Sequence, residues 1–204
     1  MNLKNKLYLA SSSQSRQRIL NLSKIPFEVI KTLSEEKYDS SHSIEEIVKH
    51  IAISKMEMAV LPPVTKEGDI IFVLCADTLT KNKNNVVLGK PENLEDAIKK
   101  INSVYGKSIT FTAFCLEKKI AKNNKWQTLD RYLEVVSGQA EIELDEQYLK
   151  DYFENTPGLN CAGAICLEDF GMQFVKTING SYSAILGLPI FEVRKALEKL
   201  EFFK

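Results

Sequence analysis

The stretch "IIFVLCADT", residues 70–78, is an unbroken apolar run that stops on an acid and a threonine. A run without alternation predicts a strand covered on both faces, the kind found at the centre of an α/β sheet. Closing such a strand on Asp77 is expensive. A buried carboxylate that stays ionised needs a cation, a metal or a hydrogen-bond network around it. The plainer reading is an Asx turn that caps the strand.

Upstream lies "LYLASSSQSRQRIL", residues 7–20, which predicts a strand over 6–10 and a helix over 14–22 with Ser13 as N-cap. A short strand follows at 27–30. The next helix, from 44 to about 60, opens on a capping box, Ser43 and Glu46, and turns Ile44, Ile47, Val48 and Ile51 inward. One turn further, Lys55 falls on the same inward stripe. It either snorkels past its apolar neighbours or meets an anion.

Downstream of the apolar run, "NKNNVV" predicts a hairpin turn and "PENLEDAIKKI" a helix capped by Asn93, with Leu94, Ala97, Ile98 and Ile101 inward. Residues 108–143 alternate enough for two or three antiparallel strands, split as "SITFTAFCLE", "QTLDRYLEVVS" and "QAEIEL". "DEQYLKDYFE" predicts a short helix and "MQFVKTI" a strand. "PIFEVRKALEKL" predicts a final helix with Pro189 in its first turn. Helices alternate with strands at both ends and a meander lies between. The expectation is an α/β fold with a mixed, twisted sheet and flanking helices, and 204 residues allow one large domain or two small lobes sharing a cleft.

Composition narrows the chemistry. Lys plus Arg and Asp plus Glu are 27 each, so the formal net charge is zero, which disfavours binding a nucleic acid polymer through general electrostatics. Any anion must be held by a local cluster of cations. The hydrophobic share of 44% supports a sizeable core, and no run approaches the roughly 20 apolar residues of a membrane span. The first residues show no signal-peptide cleavage pattern, and Cys75, Cys115, Cys161 and Cys166 show no CxxC pairing and have apolar neighbours. Buried thiols in a reducing, cytoplasmic setting are expected. His42 and His50 are the two histidines, and neither has neighbours suited to a His-dependent nucleophile or a multi-histidine metal site. Acid–base work falls to carboxylates.

Several residues could carry that work, each with an ordinary alternative. The serine-rich turn into the first helix offers backbone N–H groups and a positive dipole end, with Ser11, Ser13 and Arg16 as added donors for phosphate. It also reads as a plain serine cap. Lys90, in "LGKP", could be merely solvated. Glu35 and Glu36, in "SEEK", could be a hydrated loop or magnesium ligands.

The set "LASSSQSR", "SEEK", "AISKMEMAV", "CADTLTKNKNNVVLGKP", "CAGAICLEDFG" and "NGSYSAILGLP" resembles the Maf-like nucleoside triphosphate pyrophosphatases, from about residue 7 to residue 200. The resemblance implies a single α/β domain over residues 1–204 with two lobes around a cleft, similar to the fold of the inosine-triphosphate pyrophosphatases. It implies hydrolysis of a nucleoside triphosphate to the monophosphate and pyrophosphate, a divalent cation (Mg²⁺, Mn²⁺ or Co²⁺), and a homodimer. It assigns Asp77 as general base and metal contact, Glu36 as an acid near the metal, and Arg16, Lys55 and Lys90 as cations on the phosphates. Ser15, Thr78 and Glu168 match positions that help select the base. Two departures bear on the substrate: "SQSR" puts Ser15 where the family usually has arginine, and "CAGAIC" replaces a segment that usually ends in an aromatic.

Glu168 would accept both N1–H and the 2-amino group of guanine, whereas pyrimidine carbonyls would repel it. Thr78 resembles the dTTP/UTP subgroup instead. The balance leans slightly to 7-methyl-GTP over dTTP and UTP. A nucleotide-binding regulatory protein with little turnover is the alternative.

Overall fold

A computed structural model of the chain describes residues 5–34 and 41–204. β1 (Lys6–Ala10) is buried along its last four residues. It pairs in parallel with β2 (Glu28–Ile30) and with β3 (Ile70–Asn82), Leu9 lying opposite both Val29 and Leu74. Parallel neighbours need crossovers, and two helices supply them. α1 (Gln14–Leu22) links β1 to β2, and α2 (Ile44–Glu57) lies between β2 and β3.

Local chemistry sets both helix starts. Ser13 is extended and its side chain accepts from the Arg16 N–H, while Ser43 and Glu46 form the reciprocal capping box. The buried face of α2 is Ile44, Ile47, Val48, Ile51, Ala52, Lys55 and Met56, one stripe at helical spacing. Lys55 is on it.

The remaining elements are β4 (Val87–Leu88), α3 (Leu94–Ser103), β5 (Gly106–Lys122), β6 (Lys125–Ile142), α4 (Leu149–Asn155), β7 (Val175–Gly180), α5 (Tyr182–Ile185) and α6 (Ile190–Lys199). The strands form a seven-stranded mixed sheet in the order β2-β1-β3-β5-β6-β7, with β4 antiparallel to β3. The fold is therefore α/β, as the alternation of elements predicts.

The chain folds as two compact units. The first comprises the residues up to Asp77 with Ala113–Val135 and Gly187–Lys204; the second comprises Thr78–Thr112 and Val136–Leu186. Phe72, Phe114, Phe202, Leu9, Leu20, Leu74 and Leu197 are fully buried in the first unit. The core of the second is built from Leu88, Ala97, Ile101, Ile142, Leu149, Tyr152 and Phe174 among others.

The meander contains two long strands, the lower of the two or three expected. Other expectations are corrected. Gly138 does not mark a break: β6 runs through it, and a Cβ there would meet the Ser181 carbonyl oxygen at 2.5 Å. "MQFVKTI" is strand only from Val175, because Asp169–Phe174 wind into a 3₁₀ segment whose Phe174 ring lies 6.0 Å from Tyr152 in the core. Leu94 is 50% exposed in the first turn of α3, so Ala97 and Ile101 form the buried stripe without it. Cys161 is partly exposed, unlike the other three cysteines.

Candidate functional site

The first unit brings four of the sequence-derived residues into two buried pairs. β3 carries Asp77 to the end of its all-buried run, and α2 carries Lys55 toward it. Lys55 Nζ donates to Asp77 Oδ1 at 2.7 Å, with side-chain exposures of only 10% and 6%. The lysine therefore does not snorkel, and the acid has its cation. Asp77 ends the buried run but not the strand, because β3 continues to Asn82 where the apolar run alone predicted a stop at 78. Thr32 Oγ1 donates to the Lys55 carbonyl at 3.0 Å, tying the end of α2 to the chain just after β2.

The second pair lies at the start of α1. Ser11 follows β1, and Arg16 sits one turn into the helix, both buried. Arg16 Nη1 donates to Ser11 Oγ at 3.1 Å and Arg16 Nε donates to the Gly187 carbonyl at 2.8 Å. The guanidinium is thus aimed by two fixed acceptors. Gly187 has φ +104°, a backbone state that side chains disfavour. Sequence reasoning missed its role, although the "LGLP" block held the signal: a glycine before Leu-Pro that offers a carbonyl inward.

The two pairs share a neighbourhood. Burial pushes the Cys75 thiol up strongly, and both Lys55 and Arg16 act on it in the opposite direction. Ser13 fills its ordinary role, accepting the Arg16 N–H at 3.5 Å as helix cap, while its own N–H donates to Ser11 Oγ at 3.3 Å. Ser15 lies half-buried in the first turn of α1. Glu36 lies outside the described residues.

The other candidates belong to the second unit. Thr78 and Thr112 share a hydroxyl hydrogen bond of 2.9 Å, and Thr112 Oγ1 donates to the Ala184 carbonyl at 2.7 Å. Thr112 has one hydroxyl proton, so Thr78 is the donor in that pair. Lys90 is exposed, and its carbonyl accepts from Lys100 Nζ at 2.9 Å. The preceding Gly89 carbonyl accepts from the Gly163 N–H at 3.0 Å, so "LGKP" is stitched to "CAGAIC". Glu168, half-buried, lies two residues beyond that segment, after Leu167.

The donor set bears on a metal. Among the described residues, Asp77 receives its side-chain hydrogen bond on Oδ1 from Lys55, and Oδ2 has no such donor. Among the described residues no three His, Cys, Asp or Glu side chains cluster to hold a metal ion. Asp77 Oδ2 therefore offers a single carboxylate oxygen, and an ion there would need other ligands, as Mg²⁺ does when it takes one or two carboxylates and substrate oxygens.

Comparison with known proteins agrees with the motifs. A nucleoside triphosphate pyrophosphatase of Prochlorococcus marinus is 31% identical over 201 residues, covering 95% of this chain and 96% of that one. A dTTP/UTP pyrophosphatase of Fusobacterium nucleatum is 33% identical over 196 residues, covering 96% of both chains. Another dTTP/UTP pyrophosphatase, from Pelodictyon phaeoclathratiforme, is 32% identical over 200 residues, covering 94% of this chain and 96% of its own. The Maf-like protein family matches residues 6–200, and this chain belongs to that family.

Proposed function

We propose that this chain is a metal-dependent nucleoside triphosphate pyrophosphatase that releases a nucleoside monophosphate and pyrophosphate. The observation that carries the reading is the buried Lys55–Asp77 pair, in the same unit as the Arg16–Ser11 pair. The names of the relatives support the reaction class.

In this reading Asp77 takes the proton of the attacking water, and Lys55 orients the carboxylate through Oδ1. An ammonium has three N–H donors, so Lys55 can bond Oδ1 and a phosphate oxygen together. Arg16, held by Gly187 and Ser11, grips phosphate alongside the N-terminal amides of α1. Lys90 supplies a further cation. Fixed cations of this kind stabilise charge as it shifts onto the leaving pyrophosphate. A divalent ion on Asp77 would add charge neutralisation of the triphosphate. Cytoplasmic residence and a homodimer, implied by the sequence and the resemblance, complete the proposal.

Two readings of the base compete. The Glu168 carboxylate favours a guanine edge, and the methylated ring of 7-methyl-GTP would gain from its charge. The relatives named as dTTP/UTP pyrophosphatases favour a pyrimidine. The test is a panel of triphosphates, including 7-methyl-GTP, dTTP and UTP, assayed for monophosphate and pyrophosphate with Mg²⁺, Mn²⁺ or Co²⁺. Nucleotide binding without pyrophosphate release under all three ions would assign a regulatory nucleotide binder instead. If Glu168 reads a guanine edge, Glu168→Gln shifts relative kcat/KM toward dTTP and UTP, roughly tenfold for one mispaired polar contact. An unmoved ratio, or a wild type that already prefers pyrimidines, removes Glu168 from base recognition.

A further inference from the structure

In the second unit, residues 163–167 are buried without belonging to a strand or an α-helix. Gly163 and Ala164 take left-handed backbone at φ +65° and +60°, and Asp169 does so again at φ +51°. The left-handed region is sterically costly for alanine, so the surrounding bonds must hold the first bend. Buried backbone outside regular structure must also find its hydrogen-bond partners elsewhere.

Backbone bonds supply some of them. The Gly163 N–H donates to the Gly89 carbonyl at 3.0 Å, the Ala164 N–H to the Cys161 carbonyl at 3.0 Å, and the Gly171 N–H to the Glu168 carbonyl at 2.9 Å. A side chain from α4 holds the stretch between the bends. The Tyr152 hydroxyl accepts the Cys166 N–H at 2.6 Å and donates to the Ala164 carbonyl at 3.0 Å, with the Cys166 carbonyl a second acceptor at 3.3 Å. Tyr152 is 2% exposed, and its ring stands edge-on to Phe153 at 5.2 Å and to Phe174 at 6.0 Å. Burial pushes the phenol up, so it keeps its proton and remains a donor. The far side of the stretch is closed as well, because a Cβ on Gly171 would collide with the Cys166 carbonyl oxygen.

We propose that Tyr152 is a positioning residue for base selection: its hydroxyl fixes the backbone of residues 164–166 and, through it, the Glu168 carboxylate two residues on. This rests on the reading of Glu168 as a group that meets the base. Tyr152 itself touches no substrate.

The geometry gives Glu168 little freedom. Cys166 is tied to Tyr152 on one side of it, Leu167 between them is 3% exposed, and the Glu168 carbonyl is tied to Gly171 on the other side. A carboxylate discriminates between base edges only if it cannot swing to suit whichever edge arrives, and neighbours of this kind prevent the swing. A hydroxyl suits the task, since one proton and two lone pairs serve an acceptor and a donor at once. Phenylalanine would keep the ring and serve neither. The Cys166 N–H and the Ala164 carbonyl would then be buried without a partner, and the bend would relax until they found one.

The test is Tyr152→Phe, with urea unfolding to establish a folded chain and hydrogen exchange to follow residues 161–168. Pyrophosphate release from 7-methyl-GTP and from UTP gives the ratio of their kcat/KM values. In the wild type the Cys166 amide should exchange slowly, and rapid exchange overturns the hydroxyl's hold on the segment without recourse to a variant. In Tyr152→Phe its protection should fall at least tenfold, and the kcat/KM ratio should move roughly tenfold toward unity, as small misplacements of binding groups do. A loss of stability alone lowers the folded fraction and leaves the ratio where it was, so an unmoved ratio overturns the positioning role. A variant that does not fold makes the hydroxyl a requirement of the fold instead, and overturns it too.

Glu168→Gln separates this inference from the reading beneath it. In that background Tyr152→Phe should change the ratio less than twofold, because the positioned carboxylate is gone. A full tenfold change there overturns Glu168 as the group positioned. A wild type that releases no pyrophosphate indicts the proposed reaction. The ratio is then read as Kd for the same two triphosphates, and the same outcomes decide the role of Tyr152.

Discussion

Among the described residues the first unit contains two buried acids, Asp77 and Glu117, and they are satisfied in opposite ways. Glu117, on β5, is fully buried with every acceptor engaged. Arg131 Nε donates to Oε1 at 2.6 Å, Thr128 donates to Oε2 at 2.8 Å, and Lys119 pairs with Oε2 as well. Lys119 in turn donates to the Thr128 hydroxyl at 2.9 Å, closing the network. Among the described residues, Asp77 has one side-chain partner, Lys55, on one oxygen. A carboxylate whose lone pairs are filled by protein holds strands together and has nothing left to offer a ligand. A carboxylate with an unfilled oxygen at the end of a buried run is costly to keep and is equipped to take a proton or an ion. Number of partners, more than burial, separates a structural acid from a candidate base.

The sharpest way to break this contrast is to make the same acid-to-amide change at both sites. Glu117→Gln should cost about 3–5 kcal/mol, the range for removing one partner of a buried ionic network, because it strips charge from Lys119 and Arg131. Urea unfolding measures it, and pyrophosphate release per folded molecule should be near wild type. Asp77→Asn should do the reverse. Turnover should fall at least roughly 10²-fold, the lower end for loss of a general base. The amide oxygen can still accept from Lys55, so the shift in urea midpoint should be much smaller than for Glu117→Gln. If both variants lose stability alike and keep activity, the partner-count argument fails.

Lys55→Met keeps the apolar stem on the α2 stripe and removes the ammonium. We expect a folded protein whose kcat/KM drops by roughly 10- to 10²-fold, since a cation on the phosphates is lost. Unchanged kinetics would reduce Lys55 to a partner for Asp77 alone.

Acid provides the smallest and most graded test. Desolvation acts most strongly on Glu117 and would raise its pKa, but hydrogen bonds from Lys119, Thr128 and Arg131 hold it below the ordinary 4.5. A carboxylate depressed in the folded state contributes stability that is fully present above its unfolded pKa. That contribution fades as pH falls through the lower folded value. Wild-type urea midpoints should therefore decline below about pH 4.5 more steeply than those of Glu117→Gln, which lacks the group. Parallel profiles would show that the network does not hold Glu117 ionised.

Glu117 also illustrates what a sequence hides. In "AFCLEKK" it looks like one more charged residue where a strand reaches the surface. Its partners on β6, Thr128 and Arg131, are 11 and 14 residues away and became legible only once the hairpin closed. Gly138 was similarly opaque. A glycine in an alternating segment suggests a turn, whereas here it admits the Ser181 carbonyl from a distant part of the chain.

Periodicity, capping residues and motif order were enough to assign the α/β class, α1 and α2 with their caps, the inward stripe that includes Lys55, and the family, because each is local or is a pattern of residue types along the chain. Which cation meets Asp77, which carbonyl aims Arg16 and which acid is saturated are matters of three-dimensional proximity. Lys55 lies 22 positions from Asp77, and Gly187 lies 171 from Arg16. Hydrogen bonds act over about 3 Å, so partners so far apart in sequence are chosen by the packing of the folded chain.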